Sequence, residues 1–234
     1  MLDNDRTPID PTLGAPAEGS LLARADALQR AAEAVLTGLA LPDILAKYGQ
    51  VHVVGNVALG LMTWRDIDID VEVFEEIEED EVWEAARRLL SRDRVALVSV
   101  ADDRAGRTAG RVPSMYVGVR YRSDETTVWK IDVRFVRSGD AVASDHLEDL
   151  GAKLTPEARR RILEIKDAVS GRPEYGQTLS SVDVYRAVLC DGAEDLASFD
   201  SWLERRGLGG PFGARFETGP AGWLDRLHGR RVMW

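Results

Sequence analysis

Three aspartates are the residues of this sequence whose type and spacing best suit joint chemistry. Asp66 and Asp68 lie in the run DIDIDVEV, residues 66–73, in which acidic and aliphatic residues alternate with a period of two. This alternation predicts a β-strand with its carboxylates on one face and its aliphatic side chains on the other. Residues two apart on a strand have Cα atoms ~6.5–7 Å apart, so both aspartates can reach one divalent cation over that face.

The third aspartate lies on a later predicted strand. Asp132 is the acidic residue of a second alternating run, residues 127–136, and Lys130 and Arg134 flank it on the same face. Hard ions such as Mg²⁺ bind oxygen ligands and keep waters and substrate phosphates in their other positions. Three carboxylates therefore predict a two-Mg²⁺ site that activates a hydroxyl and steadies a leaving phosphate. The flanking cations could contact phosphates or pair with Asp132, and Arg134 is the better phosphate candidate because a guanidinium binds bidentately.

The composition is that of a soluble globular protein, with 44% hydrophobic and 30% charged residues. No apolar stretch approaches the ~20 residues of a membrane helix, and the acidic start is unlike a signal peptide, so we expect a cytoplasmic protein without a membrane partner. The single cysteine, Cys190, excludes an internal disulfide and is expected to be a buried small hydrophobe. A net charge of −10 argues against a broad nucleic-acid-binding surface.

The order of elements predicts an α+β fold, in which a small mixed β-sheet flanked by helices precedes a helical C-terminal part. We predict a mobile lead-in at 1–18, an α/β domain at 19–139, a helical domain at 140–206 and an irregular aromatic arm at 207–234. The predicted strands are 51–54, 66–73, 95–100, 115–121 and 127–136. The predicted helices are 21–41, a short one from Pro42, a helical turn at 57–62, and then 78–90, 156–168, 182–189 and 196–205.

Two of the predicted helices carry clear local signals. Thr155 and Pro156 suit the N-cap and first position of the helix 156–168. The helix 78–90 is amphipathic, and its expected inward residues are Val82, Ala85, Ala86, Leu89 and Leu90.

Residues 50–136 resemble the nucleotidyltransferase superfamily of the DNA polymerase β type. The apolar strand 51–54 ends at Gly55-Asn56, and nine residues separate this turn from the Asp-Ile-Asp-Ile segment that starts at Asp66. The superfamily's signature is such a strand, a Gly-Gly or Gly-Ser turn, a spacer of similar length and an apolar-flanked Asp-x-Asp. Arg65 directly before Asp66 resembles the Arg-Asp-Ile-Asp form of lincosamide- and aminoglycoside-type antibiotic nucleotidyltransferases, which also have a helical second half.

The resemblance implies an Mg²⁺-dependent enzyme that transfers a nucleoside monophosphate from a nucleoside triphosphate to a hydroxyl of a small-molecule acceptor. Asp66 and Asp68 would ligate both ions, and Asp132 would ligate the catalytic one and help the acceptor hydroxyl lose its proton. Gly55 would let backbone N–H groups approach the triphosphate. Asn56 stands where the family most often has Ser or Gly in contact with the nucleotide phosphates, and its amide can donate to phosphate.

Further residues are candidates on the same basis. Arg65 either contacts a phosphate or pairs with the acidic face. Lys166 lies on the predicted helix 156–168, and the corresponding helix abuts the nucleotide pocket in the resembling family. Glu72 is expected to be exposed, and Asp70 is expected either to be exposed or to tune the metal pair.

Two other functions remain open on the sequence. The first is a tRNA-modifying, toxin-type nucleotidyltransferase, for which a local basic surface could receive the RNA. Its candidate residues are Arg104, Arg107, Arg111, Arg120 and Arg122. The second is a nucleotide-binding or regulatory module without transfer activity, which the three aspartates disfavour and Asn56 leaves open.

Overall fold

The computed structural model describes residues 20–105, 112–139, 150–176 and 178–207. The chain divides into two compact units, Met1–Lys153 and Leu154–Trp234. The predicted lead-in, nearly all of the predicted C-terminal arm, and Arg107 and Arg111 lie outside the described residues, as does the predicted boundary near residue 140.

The first unit is built on a five-stranded mixed sheet with the order β1-β2-β5-β4-β3. Strand β2 pairs antiparallel with β1 and parallel with β5, and β4 pairs antiparallel with both β5 and β3. Its elements, in chain order, are α1 Leu21–Gly38, α2 Leu41–Leu45, β1 Gln50–Val54, α3 Gly55–Ala58, β2 Asp66–Val73, α4 Glu79–Leu90, β3 Val95–Asp102, β4 Ser114–Arg122 and β5 Val128–Arg137.

One face of this sheet is the core of the first unit. The alternation in β2 places Ile67 and Ile69 on that face with no exposed surface, and Ile131 and Val133 of β5 lie beside them. Apolar side chains of α1, α2 and α4 complete the same core cluster. Helices therefore cover one face, and the polar side chains of β2 and β5 are left on the other.

The second unit is helical. It contains α5 Pro156–Val169, α6 Ser181–Leu189 and α7 Leu196–Arg205. Helix α5 begins as predicted, because the Thr155 side chain accepts a hydrogen bond of 3.1 Å from the Ala158 amide. Ile162 and Leu163 of α5 are fully buried, as is Phe199 of α7. The predicted fold class, a mixed sheet flanked by helices and followed by helices, is thus confirmed.

Some local predictions were wrong. Helix α1 ends at Gly38, three residues early, because Ala40 adopts a left-handed conformation and starts α2. The turn placed at 57–62 is α3, which begins at Gly55. Leu90 is 53% exposed and Cys190 is exposed, since each lies at the last turn of a short helix and beyond the core-facing stripe.

Within the described residues, none of the helices combines the length and the apolar character required to span a membrane.

Candidate active site

The three aspartates meet on the polar face of the sheet. Asp68 of β2 and Asp132 of β5 are directly paired Cα partners of the parallel ladder, and Asp66 lies two residues before Asp68. One carboxylate oxygen from each of the three lies within 4.8 Å of the others, and all three side chains are partly buried. The parallel register therefore produces the convergence that the two alternating runs predicted.

The turn after β1 closes against this cluster. Gly55 has φ +64°, in the left-handed region that favours glycine, and a Cβ atom there would lie 2.7 Å from Oδ2 of Asp68. Asn56 follows in α3 and is 5% exposed. Gln29 of α1 donates a 3.0 Å hydrogen bond to the carbonyl of Val57 and fixes the position of α3. Both the backbone conformation at position 55 and the approach of the Asp68 carboxylate favour glycine there.

Lys130 lies among the three carboxylates. Its ammonium is 3.1 Å from Oδ1 of Asp66 and 2.7 Å from Oδ2 of Asp132. Burial works to lower the pKa of Lys130, but the charges of Asp66 and Asp132 outweigh it and the pKa is raised. Of the two alternatives open for Lys130, pairing with Asp132 is the one the structure shows.

One lysine does not neutralise the cluster. Burial, and after it the charge of Asp66, raises the pKa of Asp68 to about 7. Three carboxylates and one ammonium leave two negative charges when all four groups are ionised, so Asp68 holds a proton more readily than an ordinary aspartate does. A bound dication would remove this penalty.

Tyr116 is a residue of the site that sequence reasoning missed. Its hydroxyl donates a 2.8 Å hydrogen bond to Oδ1 of Asp132. Burial, together with the charge of Asp132, raises the pKa of Tyr116, so the phenol remains a donor. No local sequence signal identified it, because the register of β4 with β5 decides that Gly118, two residues after Tyr116, is the Cα partner of Asp132.

Arg134, the predicted phosphate contact, binds a carboxylate of the protein. Its guanidinium makes two hydrogen bonds to Asp70, at 2.9 and 2.8 Å, and Asp70 has no exposed surface. The expectation that Glu72 is exposed was wrong, because its side chain is 17% exposed and bonds to His52 and Ser138. Asp70 is likewise not exposed. The acids on the polar face of β2 are partly buried, and Asp70 is fully buried, because neighbouring strands supply partners for them.

The other candidates lie in different surroundings. The backbone carbonyl of Arg65 accepts a 3.1 Å hydrogen bond from the Lys130 amide, which joins the start of β2 to β5. Lys166 belongs to the second unit, where it is fully buried with its ammonium 3.3 Å from the Tyr185 hydroxyl. Contacts of either residue with a nucleotide stay predictions.

Three of the arginines proposed for an RNA surface lie among the described residues, and their surroundings differ. Arg104 is bound to Asp102 by two hydrogen bonds, at 3.0 and 2.8 Å, and to the carbonyl of Ile77. Arg120 is the Cα partner of Lys130, so it lies on the carboxylate face one strand away. Arg122 follows two residues later and is exposed.

The donor set fits a hard divalent cation. Three converging carboxylates, one of them with a strongly raised pKa, supply the oxygen ligands and the excess negative charge that Mg²⁺ or Mn²⁺ prefers. Asp66 and Asp68 reach the cluster from one strand, and Asp132 reaches it from the other.

No family model and no curated protein matches this sequence. A cytoplasmic RNA terminal U-transferase is similar in structure over 72% of this chain and 53% of that chain, with 14% identity and a TM-score of 0.47. The structure of E. coli MS115-1 CdnC with ATP is similar over 80% and 65%, with 18% identity and a TM-score of 0.43. A GTP pyrophosphokinase family protein from Streptococcus pneumoniae is similar over 60% and 82%, with 18% identity and a TM-score of 0.34. At these identities and TM-scores the likeness assigns no function, and this chain spans about half the length of the U-transferase chain.

Proposed function

We propose that this protein transfers a nucleoside monophosphate from a nucleoside triphosphate to a hydroxyl of a small-molecule acceptor. The observation that carries the proposal is the convergence of Asp66, Asp68 and Asp132 within 4.8 Å, beside a glycine turn at which an added Cβ atom would lie 2.7 Å from Oδ2 of Asp68. The motif resemblance to the nucleotidyltransferase superfamily gives that geometry its chemical meaning.

The three aspartates have different roles in the proposed reaction. Asp66 and Asp68 would hold both divalent cations, and Asp132 would be a ligand of one of them. When bound, such cations supply charge stabilisation at the attacking and leaving oxygens. The acceptor oxygen forms a bond to the α-phosphorus, the bond from that phosphorus to the bridging β-oxygen breaks, and pyrophosphate leaves. The acceptor proton passes to Asp132.

The glycine turn and the nearby cations face the triphosphate in this proposal. Gly55 and Asn56 contact its phosphates, and Arg65 is a further candidate for such a contact. Lys130 releases Asp66 and Asp132 when the dications bind, and its ammonium is then free to meet phosphate oxygens. Arg134 is the weakest of the predicted phosphate contacts, because its guanidinium already binds Asp70.

The acceptor is proposed to be a small molecule because the basic surface that the described residues place next to the site is small. Of the five arginines considered for RNA, Arg104 is occupied by Asp102, while Arg120 and Arg122 share the carboxylate face among the described residues. The net charge of −10 also disfavours a large RNA footprint.

The test is incubation of the full chain with each of the four labelled nucleoside triphosphates and Mg²⁺, against panels of antibiotics and of tRNA. Pyrophosphate release that requires one acceptor, together with label on that acceptor, is the expected result. Transfer to tRNA would replace the small-molecule acceptor with RNA. Saturable binding of a triphosphate without any release would indicate the non-catalytic module.

Two variants show whether the observed activity belongs to this site. Asp68→Asn removes one charge from the cluster, and Asp93→Asn removes one charge from a carboxylate that is 96% exposed. Transfer should disappear in the first variant and persist in the second. Equal activity of both would contradict the assignment of the site.

A further inference from the structure

We propose that Tyr116 is a positioning residue for Asp132, holding one carboxylate oxygen so that the other remains available to a divalent cation. The inference rests on the proposed function, since it assigns Asp132 to a metal. It adds a residue that neither the aspartate motif nor the alternation of the strands identifies.

The two oxygens of Asp132 have different partners. Oδ1 accepts the 2.8 Å hydrogen bond from the Tyr116 hydroxyl, and Oδ2 lies 2.7 Å from the ammonium of Lys130. An incoming dication repels the ammonium but not the neutral phenol. The Lys130 contact is therefore exchangeable for a metal, and the Tyr116 contact stays in place. Oδ2 becomes the ligand atom and Oδ1 the anchored one.

The sheet is built to let Tyr116 reach Asp132. Gly118 of β4 is the Cα partner of Asp132, and Tyr116 precedes it by two residues on the same face. A Cβ atom at position 118 would lie 2.5 Å from the Tyr116 hydroxyl oxygen and 2.8 Å from Oγ of Ser99. Only glycine leaves the space through which the phenol crosses to the neighbouring strand.

An anchored carboxylate binds metal better than a free one because its rotamer is already selected. Hydrogen-bond partners that orient metal ligands typically contribute tenfold to hundredfold in metal affinity or activity. Tyr116 is half-buried on the site face and its hydroxyl bonds to Asp132, so loss of that single oxygen should act through Asp132.

The experiment measures Mn²⁺ binding to the full chain by electron paramagnetic resonance of the free ion, after removal of metal with EDTA and dialysis. Tyr116→Phe deletes the hydroxyl alone and should raise the Kd for Mn²⁺ by about tenfold to hundredfold. Tyr121→Phe is the matched control, because Tyr121 lies on the same strand but packs against the core. It should bind Mn²⁺ as the unsubstituted protein does.

A second variant tests the same Tyr116–Asp132 hydrogen bond by adding a methyl group at position 118, against the phenol. Gly118→Ala should displace the phenol from Asp132 and weaken Mn²⁺ binding to a similar extent. The double variant Tyr116→Phe with Gly118→Ala should be little worse than either single variant, since both remove one interaction. Independent, multiplicative losses would overturn the proposal. Gly118→Ala also keeps the test decisive if Tyr116→Phe fails to fold.

Kinetics separate positioning from a general structural role. In Tyr116→Phe, the metal concentration for half-maximal transfer should rise with the Mn²⁺ Kd, while KM for the triphosphate at saturating metal stays unchanged. Mn²⁺ binding equal to that of the unsubstituted protein would overturn the role of Tyr116 and leave the proposed function intact. Mn²⁺ binding that survives Asp68→Asn unchanged would instead overturn the site itself.

Discussion

Two groups of charges lie side by side on β2 and β5 and differ in their balance. In the first, the ammonium of Lys130 bonds to Asp66 and Asp132, and Asp68 is the third carboxylate of the cluster. In the second, one step further along both strands, Asp70 and Arg134 form a one-to-one bidentate pair, and Asp70 is fully buried. Both use the same strands and the same parallel register, so the difference lies in the count of charges.

The comparison shows how one strand face supports two roles. A balanced, hydrogen-bonded pair has no excess charge to offer a ligand, and breaking it leaves a buried charge without a partner. A cluster with two excess negative charges is costly without a cation, and this is the property that a dication site needs. We therefore expect the pair to serve stability and the cluster to serve function.

The largest expected effect is on catalysis in the cluster. Asp68→Asn should lower transfer by roughly a thousandfold or more, because loss of a metal ligand removes several kcal/mol of transition-state charge stabilisation. Steady-state pyrophosphate release measures the loss. In EDTA the variant should melt at the same temperature or higher, since one repelling carboxylate is gone. A variant that unfolds would mean that the cluster, and not only the pair, is structural.

The next effect is on stability in the pair. Arg134→Met should lower the free energy of unfolding by about 3–5 kcal/mol, because Asp70 is left buried without its partner. Urea unfolding in EDTA measures this loss, and Arg122→Met, at an exposed position of the neighbouring strand, should change it little. If Arg134→Met were stable but failed to bind nucleotide, Arg134 would be a phosphate ligand after all.

A smaller effect concerns pH in the metal-free protein. The pKa of Asp68 is raised from 3.8 to about 7, so the folded state binds the proton more tightly than the unfolded state does. Its contribution to stability is fully present below about pH 4 and is lost as the pH rises through about 7. Between pH 5.5 and 8 the unfolding free energy should fall by about 2 kcal/mol more than in Asp68→Asn. Saturating Mg²⁺ should abolish the difference, and a steeper fall in the variant would contradict the assignment.

The smallest expected effect is on metal affinity, because the Lys130 ammonium and a metal ion compete for the same carboxylates. Lys130→Met removes the ammonium that bonds to Asp66 and Asp132 and should tighten Mn²⁺ binding about tenfold, since the metal no longer displaces an internal cation. The metal-free protein should become less stable at the same time. Isothermal titration with Mn²⁺ measures the affinity, and weaker binding would show that Lys130 supports the metal instead of competing with it.

Much of this site was predictable from local pattern. The alternation at 66–73 set the strand and its faces, and the second run placed Asp132 on a polar face. Helix ends were harder to predict than strand faces. Helix α1 ends at Gly38 because Ala40 adopts a left-handed conformation, and an alanine in that conformation has no strong sequence signal. Leu90 and Cys190 were misplaced because periodicity specifies a stripe and not where the neighbouring elements stop covering it.

What the sequence determined by itself was which residues face together within a strand, because side chains alternate with a period of two in any extended chain. What only the tertiary structure decided was which strands are neighbours and in what register. The parallel pairing of β2 with β5 sets Asp68 opposite Asp132 and Asp70 opposite Arg134. The pairing of β4 with β5 brings Tyr116 within reach of Asp132. These partners are far apart in the chain, and their pairing depends on burial of the whole apolar face, which no local pattern encodes.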